Sequence, residues 1–145
     1  MIDQVTDAGA LPALELMIRY AGQRQRLLAH NIANISTPGF IPLDVRPEAF
    51  QETLGKAIEA RRKATGGMHG ALDWEETRQL RRVGRGDLAL DPRTPGDNVL
   101  FHDRNNRSLE RLMQDLAENA SAFRVASDLL KSQKDLLRRA MSEQV

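Results

Sequence analysis

The chain contains no cysteine and few aromatic residues, and both shortages narrow the range of possible folds. Without cysteine it can form neither a disulfide nor a thiolate metal site. Aromatic residues make up only 4% of the 145 residues, although 41% of them are hydrophobic. Long, thin helices that bury Leu, Ile and Ala suit this composition better than a thick globular core. A chain of this length is expected to form one small domain.

The sequence also lacks a long apolar run and an excess of one charge. No stretch approaches the roughly 18 apolar residues that a membrane-spanning helix needs. Acidic Asp3 and Asp7 precede the first apolar run, so a cleavable secretory signal is not expected. The 21 basic and 20 acidic residues leave a net charge of +1. A nearly neutral chain does not favour nucleic acid or anionic lipid as its main partner.

Patterns that could serve catalysis, metal binding or cofactor binding are weak. The three histidines, His30, His69 and His102, are scattered along the chain. Residues 83–89 match a dinucleotide-binding fingerprint only loosely, because Pro92 leaves no room for the helix that this motif requires. We therefore expect no catalytic residue, no metal site and no cofactor.

An amphipathic helix is predicted to begin near Leu11 and to end at or before Ser36. Pro12 suits a first helical position, and Pro38 disfavours helical geometry at Thr37. Apolar residues recur at alternating spacings of four and three, which places them on one face. This face consists of Leu14, Ile18, Ala21, Leu28, Ile32 and Ile35, with Gln25 as a polar exception.

The other end of the chain repeats the pattern. Asn106 or Ser108 can cap a helix, and neither proline nor glycine occurs from Phe101 to Val145. The predicted packing face consists of Leu109, Met113, Leu116, Ala120, Phe123, Ser127, Leu130, Lys134, Leu137 and Met141. We therefore predict a mainly α fold, in which two long antiparallel amphipathic helices from the chain ends pack as a coiled-coil-like hairpin.

The middle of the chain is predicted to be irregular and only partly ordered. A short helix is expected from Glu48 to Leu54, with room to continue as far as Lys63, and short extended pieces are expected at 77–83 and 87–90. The chain then has three parts, of which the first and last pack as one unit: 1–40, 41–98 and 99–145. We expect residues 64–98 to be mobile in the dilute subunit.

The predicted helix pair is imperfect. Gln25, Ser127 and Lys134 stand where an optimal coiled coil has Leu or Ile. Two helices cover only one side of each other, so apolar residues beside the seam stay in contact with water. We expect such a hairpin to be marginal alone and to gain stability by packing against copies or relatives.

A sharply specified turn follows the first helix. Pro38 sets φ near −65°, and Gly39 supplies the positive φ that a type II turn requires at its second central position. Two asparagines three residues apart precede this turn. The motif consists of Asn31, Asn34, Thr37, Pro38, Gly39 and Phe40. We expect the asparagine amides to hydrogen-bond backbone groups of the turn or of an adjacent subunit.

This string resembles the N-terminal signature of the bacterial flagellar axial proteins, in which a helix ends in an Asn-x-x-Asn-x-x-Thr-Pro-Gly-aromatic run. The resemblance covers roughly residues 14–54 and, more weakly, 96–141. It is closest to the flagellar basal-body rod proteins, and among their short proximal types it favours the B type over the C type. In one departure from the B type, residues 100–107 separate Asn98-Val99 from the last helix.

The resemblance implies a structural protein of the bacterial flagellum. Such subunits leave the cytoplasm through the flagellar type III export apparatus without signal cleavage, and assemble in the periplasm into a helical rod that transmits torque from motor to hook. The implied partners are copies of the chain, other rod proteins, the rod–membrane-ring junction protein and the export apparatus. Neither nucleic acid binding nor a membrane span is implied.

One alternative comes from a different class of protein. A soluble helical adaptor or coiled-coil regulator would also carry two amphipathic helices, and could use the basic clusters at 61–63 and 78–82 to contact nucleic acid. An enzyme is not expected.

Overall fold

The computed structural model describes residues 9–84, 87–94 and 109–142. In chain order these form α1 (Leu11–Asn34), α2 (Pro47–Thr65), β1 (Leu80–Val83), β2 (Asp87–Leu90) and α3 (Leu109–Ser142). The predicted fold class, mainly α with two long helices near the chain ends and short strands between them, is confirmed. The predicted caps of the last helix, Asn106 and Ser108, lie outside the described residues.

Proline and glycine explain where the first two helices begin and end. Each has a proline in its first turn, where a missing amide N–H leaves no hydrogen bond unmade. As predicted, α1 ends ahead of Ser36, at Asn34. The second helix continues well beyond Leu54 to Thr65, and Gly66 ends it in the left-handed conformation with a φ of 69°.

The helices α1 and α3 pack antiparallel. Asn119 of α3 lies beside Ala21 and Gln25 of α1, whereas Lys134, further along α3, lies beside Glu15, nearer the start of α1. Later residues of one helix therefore meet earlier residues of the other, which is the predicted hairpin arrangement.

The main hydrophobic core lies on the opposite side of α1 from α3. Its buried members are Leu16, Tyr20, Val45, Phe50, Leu54, Ala57, Trp74, Leu80 and Leu88. The rings of Tyr20 and Phe50 stack with their centroids 3.9 Å apart. The first helix is therefore covered on two sides, by α3 and by the middle of the chain.

The middle of the chain packs more tightly than its sequence suggests. Trp74, Leu80 and Leu88 are buried in the core, so this stretch packs on the rest of the chain and is not the irregular connection that was expected. The mobility of residues 64–98 in the dilute subunit stays a prediction. Isolated apolar residues among many charged ones carry little periodic signal. These residues can be recognised as buried only once the β1–β2 hairpin is packed on α1 and α2.

Side chains occupy both edges of the two-stranded sheet. On the β2 edge the Gln23 carboxamide donates to the Leu88 carbonyl and accepts from the Leu90 N–H, at 3.2 Å for the latter. On the β1 edge Thr77 and Glu76 accept from the backbone amides of Leu80 and Arg82. Because unpaired edges invite pairing with other chains, these contacts favour a hairpin that stays within its own subunit.

Two negative findings concern the described residues only. None of their helices combines the length and apolar character needed to cross a membrane. The same residues contain no group of three or more His, Cys, Asp or Glu side chains that could hold a metal ion.

The buried tryptophan allows a test of the core. We expect Trp74→Ala to lower the free energy of unfolding by about 3–5 kcal/mol, because it leaves a large cavity beside Leu80. Urea denaturation measures this change. Met68→Ala, at an exposed position, should change the same quantity by less than about 0.5 kcal/mol. If Trp74→Ala changes the free energy of unfolding as little as Met68→Ala does, the middle of the chain contributes little to the core.

Candidate assembly site

Asn31 connects the end of α1 to the extended chain that follows the turn. Its side chain is only 1% exposed. Its Nδ2 donates to the Leu43 carbonyl at 2.6 Å, and its Oδ1 accepts from the Leu43 N–H at 3.2 Å. The carboxamide thus satisfies both backbone groups of Leu43, as a neighbouring β-strand would.

Asn34 has a different role, at the end of the helix. Its Nδ2 donates to the His30 carbonyl, one turn earlier, at 2.9 Å. This bond lies within the last turn of the helix, and the Ile35 and Thr37 amides bond the Ile32 and Asn34 carbonyls at its end. Of the two motif asparagines, Asn31 is buried and binds a distant segment, whereas Asn34 closes the helix locally.

The turn itself has the predicted shape at its critical residue. The Phe40 N–H donates to the Thr37 carbonyl at 3.2 Å, which places Pro38 and Gly39 at its centre. Gly39 has a φ of 74°, in the left-handed region that favours glycine. After the turn, the Phe40 ring lies edge-on to His30, with centroids 5.6 Å apart.

A buried ion pair holds the same extended segment against α1. Arg24 donates from Nε and Nη2 to the two carboxylate oxygens of Asp44, at 3.1 and 2.9 Å. Burial opposes the charged guanidinium, but the hydrogen bonds and charge of Asp44 outweigh it, and the pKa of Arg24 is raised above its usual value. Arg24 is not among the residues of the predicted packing face of α1, and its burial was not indicated by the sequence pattern.

The residues around this pair join three parts of the fold. The Tyr20 hydroxyl donates to the Val45 carbonyl at 3.2 Å, and burial raises the pKa of this phenol. The backbones of Asp44 and Arg93 pair through two hydrogen bonds of 3.0 Å. On α3, burial raises the pKa of the Asp115 carboxyl, and the positive charge of Arg24 partly offsets this effect. These contacts fix positions within the fold and require no catalytic role.

The predicted packing residues of α1 lie where expected, but several of those on α3 do not. Leu14 and Leu28 are buried, and Ile18 and Ile32 are half-buried. On α3 the buried residues are instead Asn119 and Ala126. Leu116, Leu130 and Leu137 are half-buried, whereas Leu109, Met113 and Phe123 are exposed, Phe123 by 40%. The apolar band of α3 is broader than one helix can cover, so its contact line runs to one side of the predicted face.

A second apolar stripe lies on the outside of α3. Val125, Leu129 and Leu136 are 57%, 50% and 63% exposed. Their spacings of four and seven residues place them on one helix face, roughly 100° around the helix from the contact line with α1. A regularly spaced, exposed apolar stripe of this kind is typical of a helix that packs against another subunit.

The basic cluster on the hairpin is paired with acidic groups of the same chain. Arg81 contacts Asp91 at 3.3 Å, and Arg82 pairs with Asp73. The guanidinium of Arg82 also lies over the Trp74 ring, 5.0 Å from its centroid. These pairings remove support from a nucleic-acid-binding regulator that uses residues 78–82.

Comparison with known proteins confirms the resemblance that the motif indicates. The chain is 29% identical over 133 residues to the flagellar basal body rod protein FlgB of Yersinia ruckeri, and the match covers 92% of both chains. It is also 29% identical over 133 residues to FlgB of Salmonella typhimurium strain LT2, covering 92% of this chain and 91% of that protein. No family model matches the chain.

The buried Asn31 of the motif should matter more for stability than the half-buried Asn34. We expect Asn31→Ala to lower the free energy of unfolding by about 1–3 kcal/mol, because both backbone groups of Leu43 lose their partners. Asn34→Ala should cost less, since water can replace its bond. Urea denaturation and exchange of the Leu43 amide hydrogen measure the effect. Equal losses in the two variants would contradict the proposed attachment.

The turn can be tested through its backbone conformation alone. A Cβ atom added at Gly39 would meet no atom within 4 Å, so a larger residue causes no clash. Gly39→Val should nevertheless lower the free energy of unfolding by about 1–3 kcal/mol, because a β-branched residue is strained at positive φ. Gly39→Asn is the control, since Asn tolerates this region better. Thermal denaturation that ranks Asn below Val would contradict the turn.

Proposed function

We infer that the chain belongs to the flagellar basal-body rod proteins, and propose that it is a structural subunit of the proximal rod. Copies of it would assemble into a helical tube that transmits torque from the motor to the hook. The observation that carries this proposal is the similarity to two FlgB proteins across 92% of the chain.

The outer face of α3 supports a role in assembly. In the single subunit the stripe formed by Val125, Leu129 and Leu136 is exposed to water. A neighbouring subunit that covers it would gain roughly 25 cal/mol for each Å² of apolar surface buried. The helix has 34 residues, and at 1.5 Å per residue it is about 51 Å long. It therefore offers an elongated surface suited to side-by-side packing.

The motif asparagine supports assembly in a different way. Asn31 and the turn at Gly39 determine the direction in which the chain leaves α1. A helical tube requires every subunit to have the same shape, because a small deviation is repeated along its length. We propose that the motif contributes this uniformity from inside the subunit.

The proposed partners are other copies of the chain, other rod proteins, the rod–membrane-ring junction protein and the export apparatus. The proposed location is the periplasmic rod, reached by export without cleavage of a signal. A chain without cysteine has no disulfide to break before it is threaded through an export channel. The polar network around Arg24 and Asn31 is paired internally, which favours a structural role over catalysis.

Deletion of the gene tests the proposal in the source bacterium. Motility should be lost, and electron microscopy of purified basal bodies should show that the rod is missing. The wild-type chain supplied from a plasmid should restore both. Complete rods and normal motility in the deletion strain would overturn the proposal.

The outer stripe provides a more specific prediction. Leu129→Glu combined with Leu136→Glu should leave the thermal stability of the subunit nearly unchanged, because both side chains are exposed. Incorporation into the rod should fail, because the interface would have to bury two charges. Fractionation of secreted and rod-bound protein measures the difference.

The matched control is Ala117→Glu, which adds the same side chain at an exposed position on another face of α3. It should be incorporated normally. Normal incorporation of the double Glu variant would show that the stripe is not an assembly surface.

A further inference from the structure

Two side-chain amides meet in the middle of the seam between α1 and α3. Asn119 is only 5% exposed. Its Nδ2 donates to the Ala21 carbonyl at 2.9 Å and to Oε1 of Gln25 at 2.7 Å. A polar pair in the middle of a helix seam is unusual, because it gives up hydrophobic contact.

Seven residues to either side of this pair, the seam is apolar on both helices. On α1, Gln25 stands between Ile18 and Ile32, and on α3, Asn119 stands between Leu112 and Ala126. Shifting α3 by seven residues would keep apolar residues opposite apolar residues along most of the seam. The apolar pattern therefore permits several registers of nearly equal burial.

The amides distinguish between those registers. After a shift of seven residues in either direction, Asn119 faces an isoleucine of α1, and Gln25 faces Leu112 or Ala126. Both amides then lose the hydrogen bond between them, which is unfavourable because Asn119 is buried and Gln25 is half-buried. The ion pair between Lys134 and Glu15 is half-exposed at 3.3 Å and restricts the register less.

We propose that Asn119 and Gln25 form a specificity-determining pair that fixes the register of α3 on α1. A shift of seven residues would move α3 by about 10 Å along α1. The outer stripe at Val125, Leu129 and Leu136 would move with it, relative to the turn at Gly39. The pair therefore holds the outer stripe at one position along the axis of α1. This inference rests on the seam alone and holds whether or not the chain forms a rod.

The absence of cysteine allows the register to be read directly in the purified full-length chain. The pair Glu15→Cys and Lys134→Cys reports the observed register, since these side chains are in contact. The pair Glu15→Cys and Ser127→Cys reports a shift of seven residues in one direction, and the pair Glu15→Cys and Met141→Cys reports the opposite shift. With Asn119 and Gln25 in place, a short bismaleimide should cross-link only the first pair within one chain.

Removing both amides should relax this restriction. In the variant that combines Asn119→Leu with Gln25→Leu, the yield of the shifted cross-link should rise by about tenfold or more. This is the change in the equilibrium between registers that leaving one buried amide without a partner causes. The melting temperature should not fall, because the leucines add apolar burial. If the leucine variant does not melt cooperatively, the alanine variant replaces it in the test. This variant combines Asn119→Ala with Gln25→Ala and removes the amides without adding volume.

Two controls separate the pair from general effects on the helix. Gln114→Leu makes the same kind of change at an exposed position on another face of α3 and should leave only the observed register. Asn119→Gln with Gln25→Asn keeps two amides and should also restrict the cross-link to that register. The proposal is overturned if the variants without amides still cross-link only in the observed register, or if the unaltered seam already yields the shifted product.

Discussion

The fold depends on the attachment of three consecutive residues, 43–45, to one side of α1. Asn31, Arg24 and Tyr20 each bind one of them, through a carboxamide, a guanidinium and a hydroxyl. Their spacings of four and seven residues place the three side chains on one helix face. Residues 43–45 lead directly into α2, and the backbone of Asp44 pairs with Arg93 beyond the hairpin. This attachment therefore determines where α2 and the hairpin, which form the rest of the main core, meet α1.

Polar contacts of this kind specify a structure more than they stabilise it. Removing the charges of Arg24 and Asp44 from water is costly, and their attraction repays this cost only because two well-formed hydrogen bonds join them. Most of the favourable free energy comes from apolar burial, such as the stacked rings of Tyr20 and Phe50. The two sides of α1 are alike in this respect, since each combines polar contacts with a largely apolar one.

Local signals in the sequence predicted the ends of α1, the positive φ of Gly39 and the existence of both long helices. These features depend on residues close together in the chain, where proline, glycine and periodicity act directly. The second covered side of α1 could not be predicted in the same way. Arg24 resembles a solvent-exposed residue until Asp44, twenty residues later, is placed beside it. Periodicity also could not divide the broad apolar band of α3 between an inner contact and an outer stripe.

The distribution of burial gives the two long helices different roles. α1 is covered by α3 on one side and by the core on the other, so it organises the subunit but has little apolar surface left to offer. α3 is covered on one side only, and its outer stripe remains exposed. The buried Asn31 of the motif likewise forms its hydrogen bonds within its own chain. The motif therefore shapes the subunit from inside, whereas the exposed apolar stripe belongs to α3, which packs on the other side of α1.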